Sequence, residues 1–302
     1  MAVESIAGLR PYQEDAVLSE TLPDGRTLLA VADGMGGHAA GEVASAIALK
    51  TLSEAVQEGK TLDDAFRIAN ERVNTKAREP GKQGMGTTLV AMLLDGDSYQ
   101  IANVGDSRGY VLTGEGIRRV TEDHSYVTEA IKGGQTEEEA MASQWKDVLT
   151  RCIGTESEVE VDLFGPFPVD LNTAVLLCSD GLYKVLSDAD LGEMYASSGG
   201  PRGAAQNLVA NAYDAGSDDN ISVAIAEFGQ VPRGRPVGTV PMEYEPPADG
   251  DEAEVSGGDA ASPIPSSSGR SQLTSPSGPP MAAIIAAVVV VLAALIAFVV
   301  FS

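Results

Sequence analysis

Six acidic residues lie at the ends of apolar runs, where an unshielded charge is costly. Asp33 closes the run in "LLAVADGMGGHAAGE" (28–42), Asp106 closes the run in "IANVGDSR" (101–108) and Asp180 closes "AVLLCSD" (174–180). Asp219 opens the run in "SDDNISVAI" (217–225), and Glu14 with Asp15 ends "RPYQED" (10–15) just before another. A carboxylate beside buried apolar surface costs free energy unless something accepts its charge. A tight turn is the competing explanation, and the chain contains the control for it. Asp24-Gly25 and Asp95-Gly96 each join one apolar run to the next, as hairpin turns do. Asp33-Gly34 and Asp180-Gly181 instead lead into helix-like sequence. If the strand ends share one rim, the carboxylates converge, repel one another and raise each other's pKa. Divalent cations stabilise such a cluster in its charged form, and oxygen-only donors favour Mg²⁺ or Mn²⁺ over zinc. With two histidines in the whole chain, a His-rich transition-metal site is excluded.

The elements that must position these residues can be read from periodicity. Residues 15–33 form two apolar runs joined through Pro23-Asp24-Gly25, a hairpin, and residues 86–121 read as a meander with turns at 95–97 and 114–116. Helices are expected over 40–57 and over 62–78, the second with Leu62, Ala65, Phe66, Ala69 and Val73 on one face. Later come an apolar strand ending at Asp180, helices near 188–196 and 202–214, and a closing strand to Phe228. Antiparallel meanders interleaved with helix pairs predict two sheets packed face to face under helices, an α+β fold.

The 302 residues carry 44 acids against 20 bases, a net charge of -24, which argues against nucleic acid as the main partner. Cys152 and Cys178 lie within apolar stretches and are expected as buried, reduced thiols. The N-terminus has neither a basic segment nor an apolar core typical of a signal peptide. Residues 281–301, "MAAIIAAVVVVLAALIAFVVF", hold no charge and no proline. At about 1.5 Å per residue they span roughly 31 Å, a bilayer core. The expectation is a folded domain over 1–228, a Pro/Gly/Ser/acidic linker over 229–280, and a transmembrane helix over 281–301 that anchors the chain to the cell membrane with the folded domain on the cytoplasmic side. As a flexible coil the linker would reach about 40 Å end to end.

Eight ordered stretches resemble the PP2C-type (PPM) family of metal-dependent protein Ser/Thr phosphatases, in the form found in its bacterial branch. They are "GLRPYQED" (8–15), "VADGMGGHAAGEVAS" (31–45), "GMGTTLV" (84–90), "ANVGDSRGY" (102–110), "TEDHS" (121–125), "VLTRCIG" (148–154), "LLCSDGLYKVLSD" (176–188) and "DDNISV" (218–223). The resemblance implies a four-layer α-β-β-α sandwich with two central antiparallel sheets. It implies two core Mn²⁺ or Mg²⁺ ions and a weaker third. Asp33 would bridge the two core ions, the Gly34 carbonyl would bind the second, and Asp180 and Asp219 would complete the first. Glu14 would hold the second ion through water, with Asp15 orienting the ligands behind it and Asn220 orienting the aspartates by hydrogen bonds. Asp106 resembles a ligand of the third ion, shared with Asp180. Arg10 resembles the residue that grips the substrate phosphate. The implied reaction is attack of a water bridging the two ions on phosphoserine or phosphothreonine, without a covalent intermediate.

Some positions depart from the family pattern. Met35 stands where eukaryotic relatives have a histidine proposed as general acid, which leaves that role to water. His38 and His124 are expected in local structural roles. Residues 125–146 resemble the flap beside the active site, with Trp145 where many relatives have a proline-arginine pair. The leading expectation is a phosphatase acting on phosphorylated Ser/Thr proteins and opposing membrane Ser/Thr kinases. The alternatives are a catalytically weak phosphoprotein-binding scaffold and a hydrolase of small phosphoesters. The intact set Asp33, Asp180 and Asp219 weighs against the scaffold.

Overall fold

The computed structural model describes residues 1–37, 39–229, 231, 238 and 239. In chain order, its first strands are β1 (Ala2–Ile6), β2 (Asp15–Thr21) and β3 (Thr27–Met35), followed by α1 (Ala39–Gln57) and α2 (Leu62–Ala77). Next come β4 (Gly86–Thr87), β5 (Leu89–Asp95), β6 (Ser98–Val104), β7 (Arg108–Leu112) and β8 (Gly116–Arg119), then the short helices α3 (Tyr126–Lys132) and α4 (Glu137–Met141). The last stretch holds β9 (Asp162–Pro168), β10 (Asn172–Cys178), α5 (Asp180–Tyr183), α6 (Asp188–Ser197), α7 (Pro201–Asp214), β11 (Ile221–Gly229) and β12 (Gly238–Thr239).

Strand alternation builds two sheets that share one core. One sheet has the order β1-β11-β10-β7-β8-β12 and the other β2-β3-β5-β6-β9. All pairings are antiparallel except the short one between β12 and β8. In β3, Leu29 and Val31 point into the layer between the sheets, while Leu28, Ala30 and Ala32 point under α1 and α2. In β10, Val175 and Leu177 join that central layer, and Ala174, Leu176 and Cys178 pack on the helices of the other side. Period-two strands buried on both faces require this division. The result is an α-β-β-α sandwich with three apolar layers.

The expected hairpins and helices are present, and all five expected face residues of α2 are buried. Thr61 caps α2 by accepting from the Asp64 N–H. Both cysteines are free, Cys178 buried and Cys152 half-buried. The periodicity missed β9, which carries Pro166 and Pro168; it sits at a sheet edge, where a residue without an N–H is tolerated. The 281–301 span, His38 and most of the 229–280 linker lie outside the described residues. Among the described residues no helix is long and apolar enough to cross a membrane.

Phe66 is fully buried between α2 and the sheet beneath it. Phe66→Ala should cost about 3–5 kcal/mol of unfolding free energy, read as a lower urea midpoint with an unchanged m-value.

Candidate functional site

The expected rim exists. A cavity of about 1260 Å³ is lined by Arg10, Glu14, Asp33, Gly34, Asp106, Asp180, Asp219 and Asn220. Asp15, the remaining candidate, is buried and lies directly across the β2–β3 ladder from Asp33. Asp180 starts α5 immediately after β10, and Asp219 precedes β11, the neighbouring strand. The ladder continues past the end of β10, with the Ser179 N–H donating to the carbonyl of Ser222 in β11 at 3.1 Å. Asp106 lies on the crossing from β6 in one sheet to β7 in the other. Carboxylates from both sheets thus meet at one end of the sandwich.

Close backbone approach accounts for two glycines. A Cβ on Gly34 would stand 2.2 Å from the Gly41 carbonyl oxygen and 2.6 Å from that of Glu14. A Cβ on Gly181 would stand 2.0 Å from the Asn220 carbonyl oxygen. Any side chain at either position would push apart the segments that bring Asp33, Glu14, Asp180 and Asp219 together.

Burial and mutual repulsion dominate the electrostatics. Burial first, then the charges of Asp15, Asp180, Asp106 and Asp219, push Asp33 well above the usual carboxylate range. Asp15 is raised to about 7 by burial, against the pull of hydrogen bonds from Ser222 and Ser179, with Asp180 and Asp219 adding repulsion. Asp106 is raised to about 7 by burial and then by Asp180. Asp219 is raised by burial and then by Asp180. Among the described residues, two buried oxygens of the site, Asp15 Oδ1 and Asp180 Oδ1, have no hydrogen-bond partner. Among the described residues, no three Asp, Glu, His or Cys side chains are already gathered around one cation position. Two carboxylates are engaged by cationic side chains: Arg10 holds Asp219 Oδ2 at 2.8 Å, and Lys184 holds Asp180 Oδ2 at 2.5 Å. An all-oxygen donor set with orphaned buried oxygens and repelling charges fits hard divalent cations.

Neutral donors hold the carboxylates in place. The Ser179 hydroxyl donates to Asp15 Oδ2 at 2.7 Å, tying the strand behind Asp33 to the opposite sheet. The Thr88 hydroxyl accepts from the Asp33 N–H at 2.9 Å, and Thr87 donates to the Asp33 carbonyl. The Asn220 side chain reaches the loop backbone and not the neighbouring carboxylates. It donates to the Ala7 and Tyr12 carbonyls, both at 2.9 Å, and accepts from the Glu14 N–H at 2.7 Å. Its own N–H donates to Asp219 Oδ1. It therefore orients Glu14 through that residue's backbone.

His124 is buried, and its Nδ1 accepts from the Gly105 N–H at 3.0 Å. That places its proton on Nε2, which faces Asp162 Oδ2 at 3.0 Å. Both nitrogens are engaged, and the residue fixes the turn that carries Asp106. Met35 lines the cavity, as expected from its place next to Gly34. Sequence reasoning missed the roles of Ser179, Thr88 and Lys184, although all three lie inside quoted motifs, Thr88 in 84–90 and Ser179 and Lys184 in 176–188.

Comparisons with known proteins converge on the same reading. A family model for protein phosphatase 2C matches residues 11–211. The chain is 39% identical over 224 residues to the serine/threonine phosphatase stp of Listeria innocua, covering 70% of this chain and 88% of that protein. It is 34% identical over 216 residues to the protein phosphatase PhpP of Streptococcus pneumoniae, covering 68% and 87%. The crystal structure of the Mycobacterium tuberculosis serine/threonine phosphatase PstP/Ppp superposes with a TM-score of 0.66 at 34% identity, covering 76% of this chain and 98% of that one. With the fold, the ordered motifs and the carboxylate rim in agreement, the chain belongs to the protein phosphatase 2C family and is a protein serine/threonine phosphatase of the bacterial PPM type.

Proposed function

We propose that the chain removes phosphate from phosphoserine and phosphothreonine in proteins using two divalent cations, Mn²⁺ or Mg²⁺, held at the carboxylate rim. The observation that supports it most is the convergence of Asp33, Asp180, Asp219, Glu14 and Asp106 on one cavity, where burial and repulsion disfavour the charged forms of Asp33, Asp106 and Asp219. Asp33 would bridge the two cations, Asp180 and Asp219 would complete the first, and the Gly34 carbonyl and Glu14 would hold the second. When bound, the cations supply an activated water and neutralise charge on the phosphoryl group.

The protein's own groups do the rest. Arg10 is about half exposed at the mouth and offers a planar fork suited to two phosphate oxygens. Its present hold on Asp219 keeps that fork beside the cavity. Asp15, anchored by Ser179, stiffens the strand position opposite Asp33. Among the described residues no histidine lines the cavity, and Met35 has no proton to give. We assign protonation of the leaving oxygen to water.

We further propose that residues 281–301 anchor the chain in the membrane, with the catalytic domain on the cytoplasmic side. There the products of membrane Ser/Thr kinases would be the substrates. The support is the uncharged 21-residue run and the long polar linker before it. Deleting 281–302 should move the protein from washed membranes to the soluble fraction; retention in the membranes would contradict the anchor.

Three outcomes test the chemistry. First, the full-length chain should hydrolyse a phosphothreonine peptide only with Mn²⁺ or Mg²⁺, and Asp33→Asn should abolish turnover with the fold intact. Full activity in protein shown metal-free by elemental analysis would refute the proposal.

Second, raised carboxylate pKa values mean that the metal-free folded state binds more protons than the unfolded state between the usual value of 3.8 and about 7. Metal-free stability should therefore fall as pH rises through that window. Thermal melts should show a higher Tm at about pH 5.5 than at about pH 8, with Mn²⁺ raising Tm more at the higher pH.

Third, His124→Ala should lower stability while leaving the ratio of phosphopeptide to p-nitrophenyl phosphate turnover unchanged. A selective loss of about 10²-fold or more on the phosphopeptide would instead identify His124 as the general acid.

A further inference from the structure

The cavity lined by Asp106 and Asp180 already contains a positive charge that belongs to the chain, the Lys184 ammonium. Lys184 follows α5 directly, and its N–H donates to the Asp180 carbonyl at 3.0 Å, so its backbone is fixed one turn from that aspartate. Its ammonium lies on Asp180 Oδ2. The preceding residue reaches the Asp106 main chain, where the Tyr183 hydroxyl donates to the carbonyl at 2.9 Å. The Arg108 guanidinium stacks over the Tyr183 ring at 3.5 Å and is itself paired with Asp123, which holds that ring in place. Two consecutive residues thus engage the Asp180 carboxylate and the Asp106 main chain, at the two positions to which the family resemblance gives a third ion.

The surroundings favour keeping this ammonium where it is. Burial opposes its charge, but Asp180, then Asp106 and Asp147, more than offset that and hold Lys184 above its usual range. In return it offsets a small part of the upward push that burial and Asp180 exert on Asp106 and Asp219. A divalent ion bound between Asp106 and Asp180 would face this positive charge at short range in a partly buried setting, where screening is weak. A tethered ammonium also has no translational entropy to lose and does not depend on the free ion concentration.

We propose that the Lys184 ammonium takes the place of a third divalent ion between Asp106 and Asp180, so that the enzyme works with two exchangeable cations and one fixed one. The proposal rests on the two-cation reading of the same cavity. Lys184 is a positioning residue here: it acts through Asp180 and Asp106 and makes no bond to the reacting phosphate.

The test is to count Mn²⁺ ions bound to the full-length chain in detergent, by the loss of the free-ion EPR signal, with Mn²⁺ titrated into the millimolar range. The wild-type protein should bind two, and Asp106→Asn should leave that count unchanged. Lys184→Ala and Lys184→Gln should each bind a third ion, which adding Asp106→Asn should remove. The Lys184 side chain is about half exposed, so both variants should fold. Three ions on the wild type, one of them lost in Asp106→Asn, would show that Lys184 yields to the metal and would overturn the proposal. A count that stays at two in both Lys184 variants would also overturn it, while leaving the two-cation reading intact. No bound Mn²⁺ on the wild type would bring down both.

Discussion

Like charges packed at one end of two facing sheets are the constraint around which the rest of the site is arranged. Burial and mutual repulsion raise Asp15, Asp33, Asp106 and Asp219 together, so the site taken by itself disfavours the state that catalysis needs. The fold must hold that repulsion without neutralising it permanently. It does so largely with neutral groups. Ser179 grips Asp15, Thr88 and Thr87 fix the Asp33 backbone, and Asn220 ties the loop before Glu14 to the start of β11. Hydrogen bonds from hydroxyls and amides give direction while leaving net negative charge available to cations.

The apolar layers make this arrangement affordable. Strands buried on both faces cannot shift register by one residue without exchanging their whole central layer for their helix-facing layer. That fixes where each strand ends, and the carboxylates are placed by strand ends. Gly34 and Gly181 then allow backbone segments from different elements to close on one another at distances that a side chain would forbid.

Much of this was legible in the sequence because it follows from period and punctuation. The α2 face, the hairpin turns at Asp24 and Asp95, and the aspartates that end apolar runs without making hairpins all come from local pattern. What was not legible depends on tertiary placement. β9 reads poorly because two prolines interrupt it, and only its edge position makes them acceptable. Asn220 could be singled out by its motif, but not the backbone groups it would reach, since these are over two hundred residues away in the chain. Lys184 lies inside a quoted motif, but nothing local shows that it shares a cavity with Asp106, which comes from the crossing between the two sheets.

The segment over the cavity is built on a different principle from the core. Its base is pinned where Ser125 pairs with Leu149 and the Tyr126 N–H donates to the Val148 carbonyl. Between those points, α3 buries no residue and α4 buries only Ala140. Side chains such as Val127, Thr128, Glu137, Met141 and Lys146 nonetheless form part of the cavity wall. The residues of this part of the cavity wall therefore contribute almost nothing to holding the domain together. Substitutions there can accumulate at little thermodynamic cost, so the shape of this side of the cavity can drift between descendants of this fold while the carboxylate rim, locked into the three apolar layers, stays as it is.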